Sequence, residues 1–133
     1  HMYRSILEAI AMTMKLRTDE MCQEVGTTLD KIIVSGGGSN SDLFMQIFAD
    51  VFGVPAVRNV VNGAAGVGSA ICAAVATKAY GSFDEAVEHM VKVKDVFTPN
   101  PENTELYGKL LAIYADVTNH TDDILKKTYE IFK

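Results

Sequence analysis

The apolar residues in the first part of the chain recur with the period of a helix. Their spacings are three, four or seven residues, and the positions are Tyr3, Leu7, Ile10, Met14, Met21 and Val25. This pattern predicts an amphipathic helix over residues 3–24, which Gly26 ends.

A short β-branched segment follows at residues 31–35. It reads Lys-Ile-Ile-Val-Ser and is bounded by glycine, which is typical of a buried strand. Residues 43–51 return to the helical period, and Gly53 and Pro55 supply a stop. Residues 54–57 are a weaker strand candidate because Pro55 cannot donate to a sheet ladder. We therefore expect this strand to lie at a sheet edge or to start late.

The next segments are predicted to be helical. Residues 64–80 are rich in alanine and predict a helix that Gly81 ends. The sequence Ser-Phe-Asp-Glu at residues 82–85 is a capping-box signature, so another helix should begin at Phe83.

Two prolines, Pro99 and Pro101, then rule out continuation of that helix. From Asn103 onward the apolar period predicts one long or broken C-terminal helix. Strands that alternate with helices indicate an α/β fold with a small sheet flanked by helices. A sheet of two or three strands is hard to bury alone, so we expect its other strands to lie in sequence outside this chain.

Three consecutive glycines, Gly36, Gly37 and Gly38, lie between the first predicted strand and its helix. Such a junction exposes the amides of the first helical turn, and the absence of Cβ atoms lets a ligand approach. One polar residue among 39–41 would cap the helix, and the others would face the ligand. The pattern suits a nucleotide; the alternative is a turn that only redirects the chain.

A dinucleotide-binding fingerprint is a second interpretation of the same glycines. Residues 36–41 match G-x-G-x-x, but Ser41 stands where a third glycine or alanine is expected. That fold would offer a ribose-binding acid about 20 residues further on. The chain has Val57-Arg58-Asn59 there, and Arg58 would instead meet the extra phosphate of NADP.

A second cluster of small residues opens the alanine-rich helix at residues 62–70. Its sequence is Asn-Gly-Ala-Ala-Gly-Val-Gly-Ser-Ala. We interpret it as close packing of this helix on the sheet, beside the ligand site.

Composition and charge restrict the partners. The 133 residues are 48% hydrophobic and carry a net charge of −5. The lysines are scattered, so the sequence lacks the basic stripe that is typical of proteins that bind nucleic acid. The most apolar stretch, residues 64–76, is broken by glycines and is too short to span a bilayer. We expect a cytoplasmic protein with no nucleic-acid or membrane partner.

The residues that commonly bind metals are isolated in the sequence. Cys22 and Cys72 lack the spacing of a zinc or redox motif, so we interpret them as buried thiols. His89 and His120 have no matched ligand nearby, so no metal site is predicted.

The order of elements resembles the C-terminal domain of the FGGY carbohydrate kinases over nearly the whole chain. The family's adenosine-binding motif is Gly-Gly-Gly-x-x-Ser, followed by a helix of the form Gln-Ile-hydrophobic-Ala-Asp. Residues 36–41 and 46–50 match it. One departure is Asn62-Gly63, where the family often has an acid. Further similar segments are residues 4–9, 64–74, 80–86 and 99–107.

This resemblance implies an ATP-dependent kinase that transfers the γ-phosphoryl group, with Mg²⁺, to a sugar or polyol hydroxyl. Gly37 and Gly38 would lie against the adenosine, and Gly36 would shape the turn. Ser41 and Asn40 would reach the base or the ribose. The catalytic aspartate, the sugar-contacting residues and the phosphate loops would lie in sequence that precedes this chain, so the isolated chain is expected to be inactive.

The resemblance also implies part of an actin- and hexokinase-like, ribonuclease H-like nucleotide-binding domain. His1 and Met2 look like the remnant of an expression tag. The domain would then comprise residues 3–133, without the N-terminal sugar-binding domain. Truncation would expose the face that meets the rest of the kinase and so favour a homodimer. The remaining alternative is an interaction module with a purely structural glycine turn.

Overall fold

The computed structural model describes residues 1–132, apart from the side chains of residues 118 and 119. Helices and strands alternate in this part of the chain around a small sheet, so the predicted α/β class is confirmed. In chain order the elements are α1 (Met2–Val25), β1 (Ile32–Ile33), a 3-10 helix (Gly37–Asn40), α2 (Asp42–Phe52), β2 (Ala56–Asn59), α3 (Ala64–Ala76), α4 (Phe83–Met90), β3 (Val93–Phe97) and α5 (Pro101–Ile131).

The sheet has the strand order β1-β2-β3, with β1 parallel to β2 and β3 antiparallel to it. β2 is therefore the central strand, and the prediction that it lies at an edge is wrong for the described sheet. Its late start is confirmed, because it begins at Ala56. Pro55 precedes the strand, so its missing amide removes no hydrogen bond within β2, and its carbonyl still accepts one from Ile32 N at 3.0 Å. Strand β3 is not among the predicted elements.

Three helix ends confirm the local sequence signals. Gly26 and Gly53 end α1 and α2 in the left-handed conformation, with φ of 71° and 68°. Ser82 caps α4, because its Oγ accepts a hydrogen bond from Glu85 N at 3.1 Å.

Two helix boundaries differ from the predictions. Helix α3 ends at Ala76, and the left-handed residue that follows it is Lys78 (φ 60°) instead of the predicted glycine. Helix α5 is continuous and begins at Pro101 instead of Asn103. Proline fits the first turn of a helix, where the amide has no intrahelical partner.

Helix α2 forms the centre of the hydrophobic core. It lies against both long helices and the sheet, and it contributes more residues to the core than any other described element. Because α2 follows the glycines directly, the glycine segment is attached to the best-buried part of the fold. The core residues are Leu7, Ala11, Met45, Ile47, Phe48, Ala49, Val51, Ala56 and Tyr107.

Helices α3 and α4 contact chiefly each other. A Cβ atom built on Gly66 or Gly68 of α3 would meet nothing within 4 Å. The prediction that residues 62–70 pack closely on the sheet is therefore wrong for the described part of the chain.

Candidate functional site

The glycine turn, residues 36–40, joins β1 to α2 through a tight network of short contacts. Gly36 has φ 87° and ψ −174°, a conformation that requires glycine. Its carbonyl accepts hydrogen bonds from both the amide (3.1 Å) and the hydroxyl (2.7 Å) of Ser39. Ser39 is fully buried, so these two hydrogen bonds anchor the turn on its buried side.

The three glycines differ in why a side chain is absent. Gly36 has the left-handed backbone, whereas a Cβ on Gly38 would lie 2.7 Å from Cε1 of Phe44. Gly37 has neither restriction: its φ is not positive and its Cβ would meet nothing within 4 Å. All three residues are exposed. The turn is therefore open, and Gly37 is its unobstructed position.

The polar residues after the glycines have separate roles. The Ser41 hydroxyl caps α2, accepting a hydrogen bond from Phe44 N at 3.4 Å. The Asn40 side chain is exposed, and its Oδ1 accepts a hydrogen bond from Asn62 Nδ2 at 3.0 Å. Of the three polar residues at 39–41, Ser41 is thus the cap and Asn40 is the one at the surface.

Asn62 attaches the turn to the segment that precedes α3. Its carbonyl accepts a hydrogen bond from Gly36 N at 2.8 Å, and its Nδ2 donates to the Gly36 carbonyl at 3.4 Å. In the sequence, Asn62 belongs to the cluster of small residues and to a departure from the family pattern, and its contact with the turn was not predicted.

A cavity of about 310 Å³ lies at the C-terminal ends of β1 and β2, under α3. Ser35, which precedes the glycine turn, lines it together with Ala64 at the start of α3. Most of the wall is apolar, and Lys92 and Asn59 add polar groups. The turn thus borders a recess large enough for part of a small molecule.

Arg58 lies beneath the turn and is only 5% exposed. Its Nε and Nη2 donate to the two carboxylate oxygens of Asp95 at 2.8 and 2.6 Å. These hydrogen bonds lower the pKa of Asp95 and raise that of Arg58. Its Nη1 lies 2.9 Å from both the Ser39 carbonyl and Asp42 Oδ1. Arg58 is buried and paired, which disfavours the contact with the extra phosphate of NADP that the dinucleotide interpretation offered.

The cysteines and histidines lie in different surroundings in the described part of the chain. The prediction of two buried thiols is wrong, because Cys72 is exposed and Cys22 is only partly buried. His89 stacks on Tyr80 with ring centroids 5.4 Å apart. Within residues 1–132, no group of three His, Cys, Asp or Glu side chains could hold a metal ion.

Comparison with known proteins assigns the family. The model of the "FGGY family of carbohydrate kinases, C-terminal domain" matches residues 1–77. The chain belongs to the FGGY family. The uncharacterized sugar kinase YgcE of Escherichia coli is 52% identical over 97% of this chain and 26% of its own length. An autoinducer-2 kinase of Klebsiella pneumoniae is 32% identical over 86% of this chain and 22% of its own length.

A solved FGGY kinase has the same fold. The crystal structure of xylulose kinase from Rhodospirillum rubrum matches with a TM-score of 0.76 and 25% identity, over 93% of this chain and 25% of that one. The predicted kinase-domain fold is therefore confirmed, and the dinucleotide-binding alternative is not favoured. The chain spans about a quarter of the length of these relatives.

Two residues of the FGGY motif helix have a structural function here. Gln46 Nε2 donates to Asp50 Oδ1 at 2.8 Å and to the Thr98 carbonyl at 2.9 Å. Asp50 also accepts hydrogen bonds from Asn100 N and Asn103 Nδ2, both at 2.8 Å. These two motif residues therefore fix the start of α5, a role that the sequence did not reveal.

Proposed function

We propose that this chain is the adenosine-binding part of an ATP-dependent sugar or polyol kinase. In the whole protein the γ-phosphoryl group of ATP would pass to a carbohydrate hydroxyl. Phosphoryl transfer depends mainly on positioning and charge stabilisation, and this chain would position the nucleoside end. The proposal assigns no Mg²⁺ ligand and no catalytic residue to this chain, so the isolated chain should be inactive.

The observation that carries the proposal is the open position at Gly37. A fold requires glycine at a position where φ is positive or where a neighbouring atom leaves no room for a Cβ atom. Gly37 has neither reason and lies between a strand end and the first turn of α2. A flat ligand that contacts the backbone would supply the missing reason, and the helix N-terminus would favour its polar atoms.

The other candidate residues have unequal parts in this proposal. Gly36 would shape the turn, and Gly38 would lie against the adenosine while leaving room for Phe44. Asn40 is exposed and would reach the base or the ribose. The Ser41 hydroxyl accepts the 3.4 Å hydrogen bond that caps α2, so its O–H would be free to donate to the nucleotide.

Nuclear magnetic resonance titration of the 133-residue chain tests this proposal. We expect ADP to shift the amide signals of Gly36, Gly37 and Gly38, with a Kd of about a millimolar or weaker, equivalent to about −4 kcal/mol or less favourable. Gly37→Val should abolish those shifts, whereas Gly108→Val, at an open site on α5, should preserve them. Stronger shifts with NADP than with ADP, or none at the turn, would contradict the proposal.

Steady-state kinetics of the whole kinase gives an independent test. We expect Gly37→Val to raise KM for ATP far more than KM for the sugar, because only the nucleoside wall is altered. Equal losses for both substrates would indicate misfolding. Sugar-dependent ADP release by the isolated chain would contradict the assignment of catalysis to the rest of the protein.

We also propose that another protein surface covers the exposed apolar face of α1 and α5. Ile6, Ile10 and Met14 of α1 and Ile113 and Val117 of α5 are exposed, although large apolar side chains are usually buried. In the whole protein this face would meet other domains, and in isolation it would pair with a second copy. Light scattering tests this: Ile6→Lys should shift a dimer to monomer, and a monomeric wild type at high concentration would refute it.

No helix among residues 1–132 is both long and apolar enough to cross a membrane. The cytoplasmic location and the absence of a nucleic-acid partner stay predictions.

A further inference from the structure

Arg58 is an unexpected residue for the centre of a small sheet. It lies on β2, the middle strand, and its side chain is buried. A buried guanidinium is costly unless its donors are paired. Here Asp95 takes two donors in a bidentate contact, and the ring of Phe97 lies 5.1 Å from the guanidinium carbon. These contacts hold the planar group in one orientation.

The remaining edge of the guanidinium points at the glycine turn. Nη1 donates to the Ser39 carbonyl at 2.9 Å and contacts Asp42 Oδ1 at the same distance. The Ser39 hydroxyl in turn donates to the Gly36 carbonyl at 2.7 Å. Hydrogen bonds therefore link Asp95 on β3, through Arg58 and then through two different groups of Ser39, to both ends of the segment that contains Gly37.

We propose that Arg58 is the positioning residue of the nucleotide site: through the Ser39 carbonyl it holds the glycine turn in the shape that presents Gly37. This inference rests on the proposed function. Glycine segments lose much conformational freedom when they are ordered, and a site that is only partly in its competent shape binds its ligand more weakly in proportion. A turn ordered beforehand avoids that loss.

Lysine could not replace Arg58 in this role. The contacts with Asp95 and with Ser39 lie on different edges of one rigid plane. A single ammonium group keeps the charge but cannot make the bidentate contact and reach the carbonyl together. Arg58→Lys is therefore the sharpest variant, and Arg17→Lys on the exposed surface of α1 is the matched control.

The test combines ADP titration with amide hydrogen exchange on the 133-residue chain. The amides of Ser39 and Ser41, which donate to carbonyls inside the turn, report its order. We expect Arg58→Lys to keep the far-UV circular dichroism of the wild type, to accelerate exchange at both amides, and to lower the initial slope of the ADP shifts by about fivefold. Arg17→Lys should change none of these.

The outcomes separate this inference from the proposed function. A folded Arg58→Lys variant with unchanged ADP shifts would overturn the positioning role, whatever its exchange rates. A wild type that does not bind ADP would refute the proposed function and the nucleotide role of Arg58 together, while accelerated exchange would still show that Arg58 orders the turn. If Arg58→Lys does not fold, Asp95→Asn decides: it weakens the bidentate contact that orients Arg58, and unchanged exchange at Ser39 together with unchanged ADP shifts would overturn the inference.

Discussion

Replacing Asp50 by alanine should destabilise the chain strongly, because this carboxylate joins α2 to the start of α5. The side chain is 2% exposed and accepts three hydrogen bonds of 2.8 Å, from Gln46 Nε2, Asn100 N and Asn103 Nδ2. Asn100 is the N-cap of α5, so the carboxylate also lies near the positive end of that helix. One substitution would therefore remove the main polar link between two elements of the core.

The magnitude follows from these contacts. A hydrogen bond to a charged group contributes about 1.5–3 kcal/mol, but the donors here are only partly buried, and water would replace some of the lost acceptor. We therefore take about 1 kcal/mol for each bond and expect a loss of about 3 kcal/mol. Asp50→Asn keeps one acceptor oxygen but turns an amide toward the donors, so its loss should be about 1–2 kcal/mol.

Urea unfolding followed by circular dichroism measures this difference at one fixed protein concentration. With a slope of about 1.5 kcal/mol per molar urea, the alanine variant should lose about 2 M in its midpoint. Asp123→Ala on the exposed surface of α5 is the matched control and should change the free energy of unfolding by less than about 0.5 kcal/mol. A loss below about 1 kcal/mol for Asp50→Ala would refute the reasoning, because three formed bonds contribute more.

Two further predictions concern the turn and the contact between the long helices. Gly38→Ala places a methyl group 2.7 Å from Phe44 and should cost about 1–2 kcal/mol in urea unfolding, whereas Gly108→Ala should be neutral or stabilising. Burial raises the pKa of Glu8, but hydrogen bonds from Arg4 and Tyr107 outweigh burial and leave it below its usual 4.5. The contribution of ionised Glu8 to the free energy of unfolding is complete above pH 4.5 and is lost as the pH falls through the lowered pKa. Thermal unfolding from pH 3 to 7 should therefore show that Glu8→Gln loses less stability on acidification than the wild type does.

Features that depend on neighbouring residues could be predicted from the sequence. The glycine C-caps of α1 and α2 and the serine cap of α4 each need only a few consecutive residues, and all three are confirmed. The position of β2 in the sheet depends instead on a strand at residues 93–97. The alternation of apolar and charged residues over 91–94 is broken there by Asp95, so the short polar strand carried little signal.

The candidate site could be predicted only in part, because some of its contacts join residues that are far apart in the sequence. The glycines and their proximity to a helix start are local, and the open turn lies where they indicate. The role of Arg58 depends on Ser39 and Asp95, which are 19 and 37 residues away in sequence. In the sequence alone, an arginine at a strand end is compatible with a phosphate ligand. Burial and bidentate pairing are properties of the fold alone.

The residues that the FGGY motif joins in sequence have two physical roles, and this difference decides how variants must be interpreted. Gly37 is open and unstrained, so a side chain there should alter the ligand surface without a large loss of stability. Gln46 and Asp50 hold the start of α5, so their loss should unfold a fraction of the molecules. Loss of nucleotide binding in a motif variant therefore indicates a contact only if the free energy of unfolding is unchanged; by this criterion Gly37→Val is informative and Asp50→Ala is not.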